Sequence, residues 1–341
     1  MRREQQTIST VQSLIGVLTQ PPRLDMTCNQ QPILLTLPYA EEPTSRNAAA
    51  AKVSKAKEFI ASDHGTIELH DLLIAEVRHF LASTANDSFS LSDSFSLEEL
   101  TRRLDRYEAA TMPLALPLAC VAYWGLEQHQ SITQKCLARA TDGLDVAAGL
   151  TTWIAFRWYP IVLLIYTAGI AAVDTGRYEN LVAIFQTPVA AAEFRGTSVL
   201  ADAASHGLLE IVRHEIFKRL PGHDRQHVPL SEYLFKNLQP SLDDTFFLGR
   251  GYEPSFDRFE VLLCLSAMDL RLQRGGSAWG PIGRFYWKAR HDQGPAARLI
   301  AEARAQKDGW APIRAGLFGQ SFERFEMAAK ELEGHLARAP F

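Results

Sequence analysis

Cysteine is scarce in this chain. Cys28, Cys120, Cys136 and Cys264 are spread over 341 positions with no CxxC pair. That excludes a dense disulfide framework and points to reduced thiols, mostly buried as small apolar side chains, in a cytoplasmic protein. Charge of one sign is lacking too: 35 basic against 39 acidic residues leave a formal −4. The balance excludes a surface that coats nucleic acid or acidic membrane along its whole extent, while a local basic face stays compatible with it. No apolar run reaches the roughly 20 residues that a spanning helix requires. Trp158–Val173 and Met112–Leu126 come nearest, with sixteen and fifteen uncharged residues opened or interrupted by Pro160, Pro113 and Pro117. Both are expected as buried core helices, with no membrane contact. Arg2-Arg3 is followed by Glu4 and a short apolar stretch, Val11–Leu18, which is not the pattern of a signal peptide.

Reaction motifs are missing as well. There is no Walker loop, no GxGxxG after a strand and no GxSxG elbow; Gly319-Gln320-Ser321 lacks the second glycine. His223 and His227 stand four apart, which on a helix would place them on one face, but Pro221-Gly222 and Pro229 flank them and no HExxH occurs. A polar loop is the expectation there. Asp243-Asp244 reads as a pair of acids in the first turn of a short helix, where the dipole favours them. No catalytic residue, metal ligand or cofactor is assigned. A third possibility, an enzyme whose residues meet only in the fold, would require His214, His227, Asp243 and Glu260 to line one closed pocket.

What is present is helical periodicity, in a chain that is 47% hydrophobic. Ile8, Val11, Ile15 and Leu18 share a face, and a proline-bounded apolar run, 31–38, follows. Helices are predicted over about Arg46–Ser62, Ile67–Ala82, Leu97–Ala110, Met112–Leu126, Ser131–Thr141, Asp145–Arg157, Pro160–Val173, Tyr178–Phe185, Ser198–Leu220, Ser231–Leu238, Phe256–Leu272 and Ser321–Arg338. Asp174-Thr175-Gly176 between two apolar helices marks a helical hairpin. No long run of period-two alternation exists. The fold class is therefore all-α, stacked helical hairpins forming a bundle or an α-solenoid-like array, preceded by a short irregular N-terminal arm.

Asp87-Ser88-Phe89-Ser90-Leu91 recurs as Asp93-Ser94-Phe95-Ser96-Leu97. This Ser/Asp-rich duplication reads as a solvated linker over 83–97, separating N-terminal helices in 1–82 from a main helical domain in 98–341. Ser96 with Glu99 fits a capping box opening the next helix.

One segment is chemically distinctive. Arg271 to Arg290 holds Arg271, Arg274, Arg284, Lys288 and Arg290 with no acid, interleaved with Trp279, Phe285, Tyr286 and Trp287. Cations hold phosphates and flat rings stack on bases, so Arg271, Arg274, Trp279, Arg284, Tyr286, Trp287, Lys288 and Arg290 form a candidate nucleic-acid site. The competing reading packs the rings into a helix hairpin and pairs the arginines with acids such as Glu260 or Asp269.

Several strings run through the second half: Arg157-Trp158-Tyr159-Pro160 with Tyr166, Gly169 and Gly176-Arg177-Tyr178; His227 with Pro229-Leu230-Ser231 and Phe235; Phe256-Asp257-Arg258-Phe259-Glu260; and Trp279 with Gly280-Pro281-Ile282-Gly283-Arg284-Phe285. Over about 100–341 the chain resembles the C-terminal helical region of bacterial multidomain proteins of the Schlafen Alba-like kind. The resemblance implies a sensor, adaptor or regulatory region in a prokaryotic defence or stress-response system. It departs from that pattern in carrying no Alba-like or nucleotide-binding part within 1–96, which implies that a partner supplies any enzymatic step. The leading expectation is a non-enzymatic helical scaffold or sensor that binds a protein partner, with homo-oligomerisation open; nucleic-acid contact through 271–290 is the alternative.

Overall fold

A helix that is apolar on every side has only one comfortable place in water, the middle of other helices. The helix Tyr159–Asp174 is such a segment, and every residue from Tyr159 to Val173 is buried. The computed structural model describes residues 43–144, 148–190, 198–276, 278–290 and 294–338, with side chains from Ala49 onward and without that of Arg290. The expected helix at Ile8–Leu18 and the apolar run 31–38 lie outside the described residues.

In chain order the elements are α1 (Pro43–Ala61), α2 (Thr66–Ser83), α3 (Leu97–Trp124), α4 (Glu127–Thr141), α5 (Thr151–Phe156), α6 (Tyr159–Asp174) and α7 (Tyr178–Phe185). After them come a two-residue antiparallel ribbon, β1 (Pro188–Val189) with β2 (Ser198–Val199), and α8 (Leu200–Arg213). The remainder is α9 (Pro229–Phe246), α10 (Tyr252–Gln273), α11 (Pro295–Gln306), α12 (Ala311–Ala315) and α13 (Phe322–Ala337). The protein is all-α. Helix α6 packs most extensively on α3 and also touches α4, α7, α8, α9 and α10. In a solenoid each repeat meets only its neighbours; here one helix meets six others, so the hairpins close into a bundle around it. Thr151–Asp174 is long and apolar enough to cross a membrane, yet 94% of its most apolar window is buried by protein. Cys120 and Cys136 are buried, and burial pushes both thiols up to about 12.

Local differences from the expected helices have tertiary causes. Leu97–Ala110 and Met112–Leu126 are one helix, α3, which runs through Pro113 and Pro117. Likewise α9 continues through Pro240 instead of stopping before it. An interior proline removes one ladder hydrogen bond at about 3 kcal/mol, and burial of the surrounding faces, including Leu114, Leu118 and Leu242, offsets that loss at about 2 kcal/mol per large aliphatic side chain. The predicted helix Ser198–Leu220 splits into β2, α8 and a 3-10 turn at Phe217–Arg219. Helices α11 and α12 had no predicted counterpart.

Residues 83–97 are not a solvated linker. Phe89 is 1% exposed and stacks on Tyr107 with ring centroids 4.0 Å apart. Phe95, its counterpart in the duplication, stacks on Trp153. The Trp153 indole donates to the Asp93 carbonyl (2.9 Å), and the buried Arg103 guanidinium donates to Glu99, to the Ser90 carbonyl and to Asp93. Residues Thr44–Phe341 accordingly make one compact unit, with no boundary at 83–97. Ser96 does cap α3, accepting from the Glu99 amide (3.1 Å), while the Glu99 carboxylate turns to Arg102 and Arg103. Only half of the capping box is made.

The centre of the bundle is tight at Gly169, where a Cβ would lie 2.1 Å from the ring of the fully buried Phe259. Gly169→Ala is expected to lower stability by about 3 kcal/mol, since the ring has no solvent side to move toward. Denaturant unfolding of wild type and variant measures it, and equal midpoints would show that the α6–α10 contact is loose.

Candidate functional site

Helix α10 is the support for the basic segment. Its C-terminus turns at Arg274-Gly275, with Gly275 in the left-handed region at φ 69°, and the chain folds back so that residues 278–290 pass along the same helix. Arg271 and Arg274 remain at the end of α10, where both guanidinium groups engage Asp202 of α8; Arg271 Nε is 3.1 Å from Oδ1. Arg271 also donates to the Trp279 carbonyl (3.0 Å) and lies over that indole, 5.0 Å from the ring centroid. Together with Leu209, Arg213 and Gly276 these three line a shallow hollow.

Arg284, Trp287 and Lys288 belong to another place. Arg284 is 6% exposed, lies 3.5 Å over the Phe235 ring, and is surrounded by Glu232 (3.3 Å), Glu253 (3.3 Å) and Asp257 (3.9 Å). Lys288 donates to Glu253 (2.6 Å) and Asp257 (2.5 Å), and the Trp287 indole donates to Glu232 (2.9 Å). Tyr286 is half-buried, and the side chain of Arg290 lies outside the described residues. Glu253 and Asp257 sit about fourteen to eighteen residues before Arg271, which is over 20 Å along a helix at about 1.5 Å per residue. The eight candidate residues thus do not form one strand-binding platform. Each of the four cations whose side chain is described is matched by carboxylates.

The partners differ from those suggested by the sequence. Asp269 is taken by Arg324 of α13 (2.6 and 3.0 Å). Glu260 receives the main-chain amide of Arg284 (2.8 Å), not its guanidinium. The acids that do the pairing, Asp202, Glu232, Glu253 and Asp257, come from three helices; only the i, i+4 spacing of Glu253 and Asp257 hinted at them.

Glu260 is the most unusual group in the region. It is enclosed by α6, α9 and the returning loop: Tyr166 and Ser231 hydroxyls donate to Oε1 (3.1 and 2.6 Å), the Arg284 amide donates to Oε2, and a Cβ on Gly283 would lie 2.1 Å from the carboxylate. Burial, opposed by these three donors, raises its pKa to about 7. Asp257 one turn away is raised too, by burial, with Lys288 pulling the other way. A second enclosed carboxylate, Glu108, accepts from the Tyr159 and Tyr233 hydroxyls (2.7 and 2.8 Å) and is likewise raised by burial. The four groups of the enzyme reading are dispersed. His227 is exposed in the 221–228 turns, His214 ends α8, and Asp243 caps the end of α9 by accepting from the Gly249 amide. His223 bonds Gln226 outside any helix. Among the described residues no group of three or more His, Cys, Asp or Glu is placed to hold a metal ion.

No family model, curated protein or solved structure matches this chain.

Two outcomes follow from this geometry. Replacing Arg284 and Lys288 together by Glu puts five carboxylates in one half-buried cluster. The double variant is expected to lose on the order of 4 kcal/mol, read as a lower melting temperature; a wild-type melt would place both cations in solvent instead. Glu260 gives the second outcome. Its folded pKa is raised above the usual value near 4.3, so the folded state keeps a proton that the unfolded state has released. Its contribution is therefore most favourable at acid pH and declines as pH rises from about 4.5 to about 7, by on the order of 3 kcal/mol in total. Stability measured from pH 5 to 8 is expected to fall more steeply for wild type than for Glu260→Gln, and parallel curves would refute the assignment.

Proposed function

We propose that this protein is a helical scaffold or sensor that holds a protein partner on its surface, in a prokaryotic defence or stress-response system. The observation that carries the reading is an apolar row left uncovered on α2. Ile67, Ile74 and Leu81 recur every seven residues and so share one helix face. Ile67 is 73% exposed, and Ile74 and Leu81 are half-exposed beside α4. Phe247, 88% exposed, is an isolated surface aromatic of the kind most proteins carry. A row with a neighbouring helix wall is different, because Ile74 and Leu81 with Val77 between them present an apolar strip to a partner. The pairing of the 271–290 cations with acids favours this reading over nucleic-acid contact, since phosphate would have to displace carboxylates already in place. The defence setting draws its support from the residue strings of the 100–341 region.

The test is capture by the immobilised full chain from extracts of its source cells. Wild type is expected to retain one protein in near-stoichiometric amount, and Ile74→Asp, a change on the half-exposed face, to lose it while melting as wild type does. Equal retention by both, or none by either, overturns the reading.

A further inference from the structure

The strip on α2 is one wall of a groove. Ile74, Val77 and Leu81 of α2 face Lys135, Ala138 and Arg139 of α4 across an open cavity of 530 Å³, with Arg78 and Asp142 at its rim. Val77 is buried and forms the floor, and Ala138 keeps the α4 wall low. The C-terminal ends of both helices converge where the Leu81 side chain lies against Gly143. From Ile67 to Leu81 is fourteen residues, about 21 Å of helix or four turns. Two helices side by side with an apolar seam between them accept a third helix along that seam.

Charge on the rim selects what kind of helix. Arg78, Lys135 and Arg139 stand there against one acid, Asp142, which pairs with Arg139 at 2.5 Å. Arg78 and Lys135 are exposed, and among the described residues neither has an ion-pair partner. Several other cations are matched closely: Arg304 by Glu326 and Glu333, Arg258 by Glu302, Lys288 by Glu253 and Asp257. Arg78 and Lys135 therefore leave the rim of this apolar groove net positive. The one acid on the α2 row, Asp71, lies between Ile67 and Ile74, a turn or more before the cations, and contacts His70.

We infer that the α2–α4 groove binds an amphipathic helix of a partner protein, about four turns long, whose apolar face fills the Ile74–Val77–Leu81 floor and whose acidic flank meets Arg78 and Lys135. This rests on the partner-binding reading above and adds the partner's chemistry. Apolar contact supplies the affinity, and the flanking charges supply orientation and choice of partner.

The probe is a fluorescein-labelled sixteen-residue helix with Leu at the a and d positions and Glu at e and g, titrated with the full chain and read by anisotropy. Its control has Lys in place of each Glu. Saturable binding of the acidic peptide is expected, weakening about tenfold with Ile74→Asp and with Arg78→Glu plus Lys135→Glu. The charge variant touches only exposed side chains, so its fold is retained, and it is expected to prefer the Lys-flanked control. Equal binding of both peptides, or indifference to the charge variant, overturns the inference. If neither peptide binds while Ile74→Asp still abolishes capture from extract, the partner-binding reading stands and the acidic helix is wrong. A concentration-dependent dimer in sedimentation, broken by Ile74→Asp, assigns the groove to a second copy and also overturns it.

Discussion

Everything in the unit from Thr44 onward is arranged so that α6 never meets water. Seven of its residues, Ile161, Val162, Leu163, Leu164, Ile165, Ile170 and Val173, are aliphatic and buried, each worth about 2 kcal/mol of transfer free energy. Helices α3, α4, α7, α8, α9 and α10 supply the cover. The same requirement explains two oddities. Helix α3 tolerates two internal prolines because its whole middle is pressed on α6. Small residues sit where helices cross most closely: Gly169 under Phe259 and Gly207 under Trp158. The central helix fixes positions to within a methyl group, and the remaining chemistry is laid out around it.

Most polar groups caught in this packing are held by other protein groups, although the buried Arg284 Nε and Nη1 and Asp257 Oδ1 make no hydrogen bond and are held by charge alone. The largest such cluster is the loop after α10. Its amide at Arg284 is shared between Ser231 and Glu260, its guanidinium is set among Glu232, Glu253 and Asp257, and its Lys288 is tied to the last two. Such a cluster has little net stabilising energy compared with an apolar replacement, but removing one member is expensive because the others are left charged and unpaired. Its effect is to fix the loop in one place against α10. Glu260 adds a titratable group to that anchoring, with a proton whose occupancy changes near neutral pH. With such a group inside the loop anchor, the stability of the loop is linked to pH.

The outer face of the α2–α4 pair contrasts with this. There the apolar floor is open and Arg78 and Lys135 have no ion-pair partner among the described residues, whereas the buried cations of the loop after α10 are set among acids. The proposed scaffold role rests on this open apolar floor and the net positive rim beside it.

The sequence by itself determined the helical class, the hairpin at Asp174-Thr175-Gly176 and the buried character of 158–173, because these depend on periodicity and on the apolar content of short windows. It also determined the Ser96 cap, since a cap is settled by the three residues after it. Only the tertiary structure decided the fate of 83–97. Phe89 and Phe95 lie in a Ser/Asp-rich stretch that reads as solvated until Tyr107 and Trp153 come to meet them. The basic segment was visible as composition but not as a site, for a related reason. Its neutralising acids are 27 to 72 residues away along the chain, and a charge's availability depends on what stands next to it in space. The α2–α4 groove was equally hidden: a row such as Ile67, Ile74 and Leu81 reads as core in any helix, and only the packing of neighbours shows which face was left uncovered.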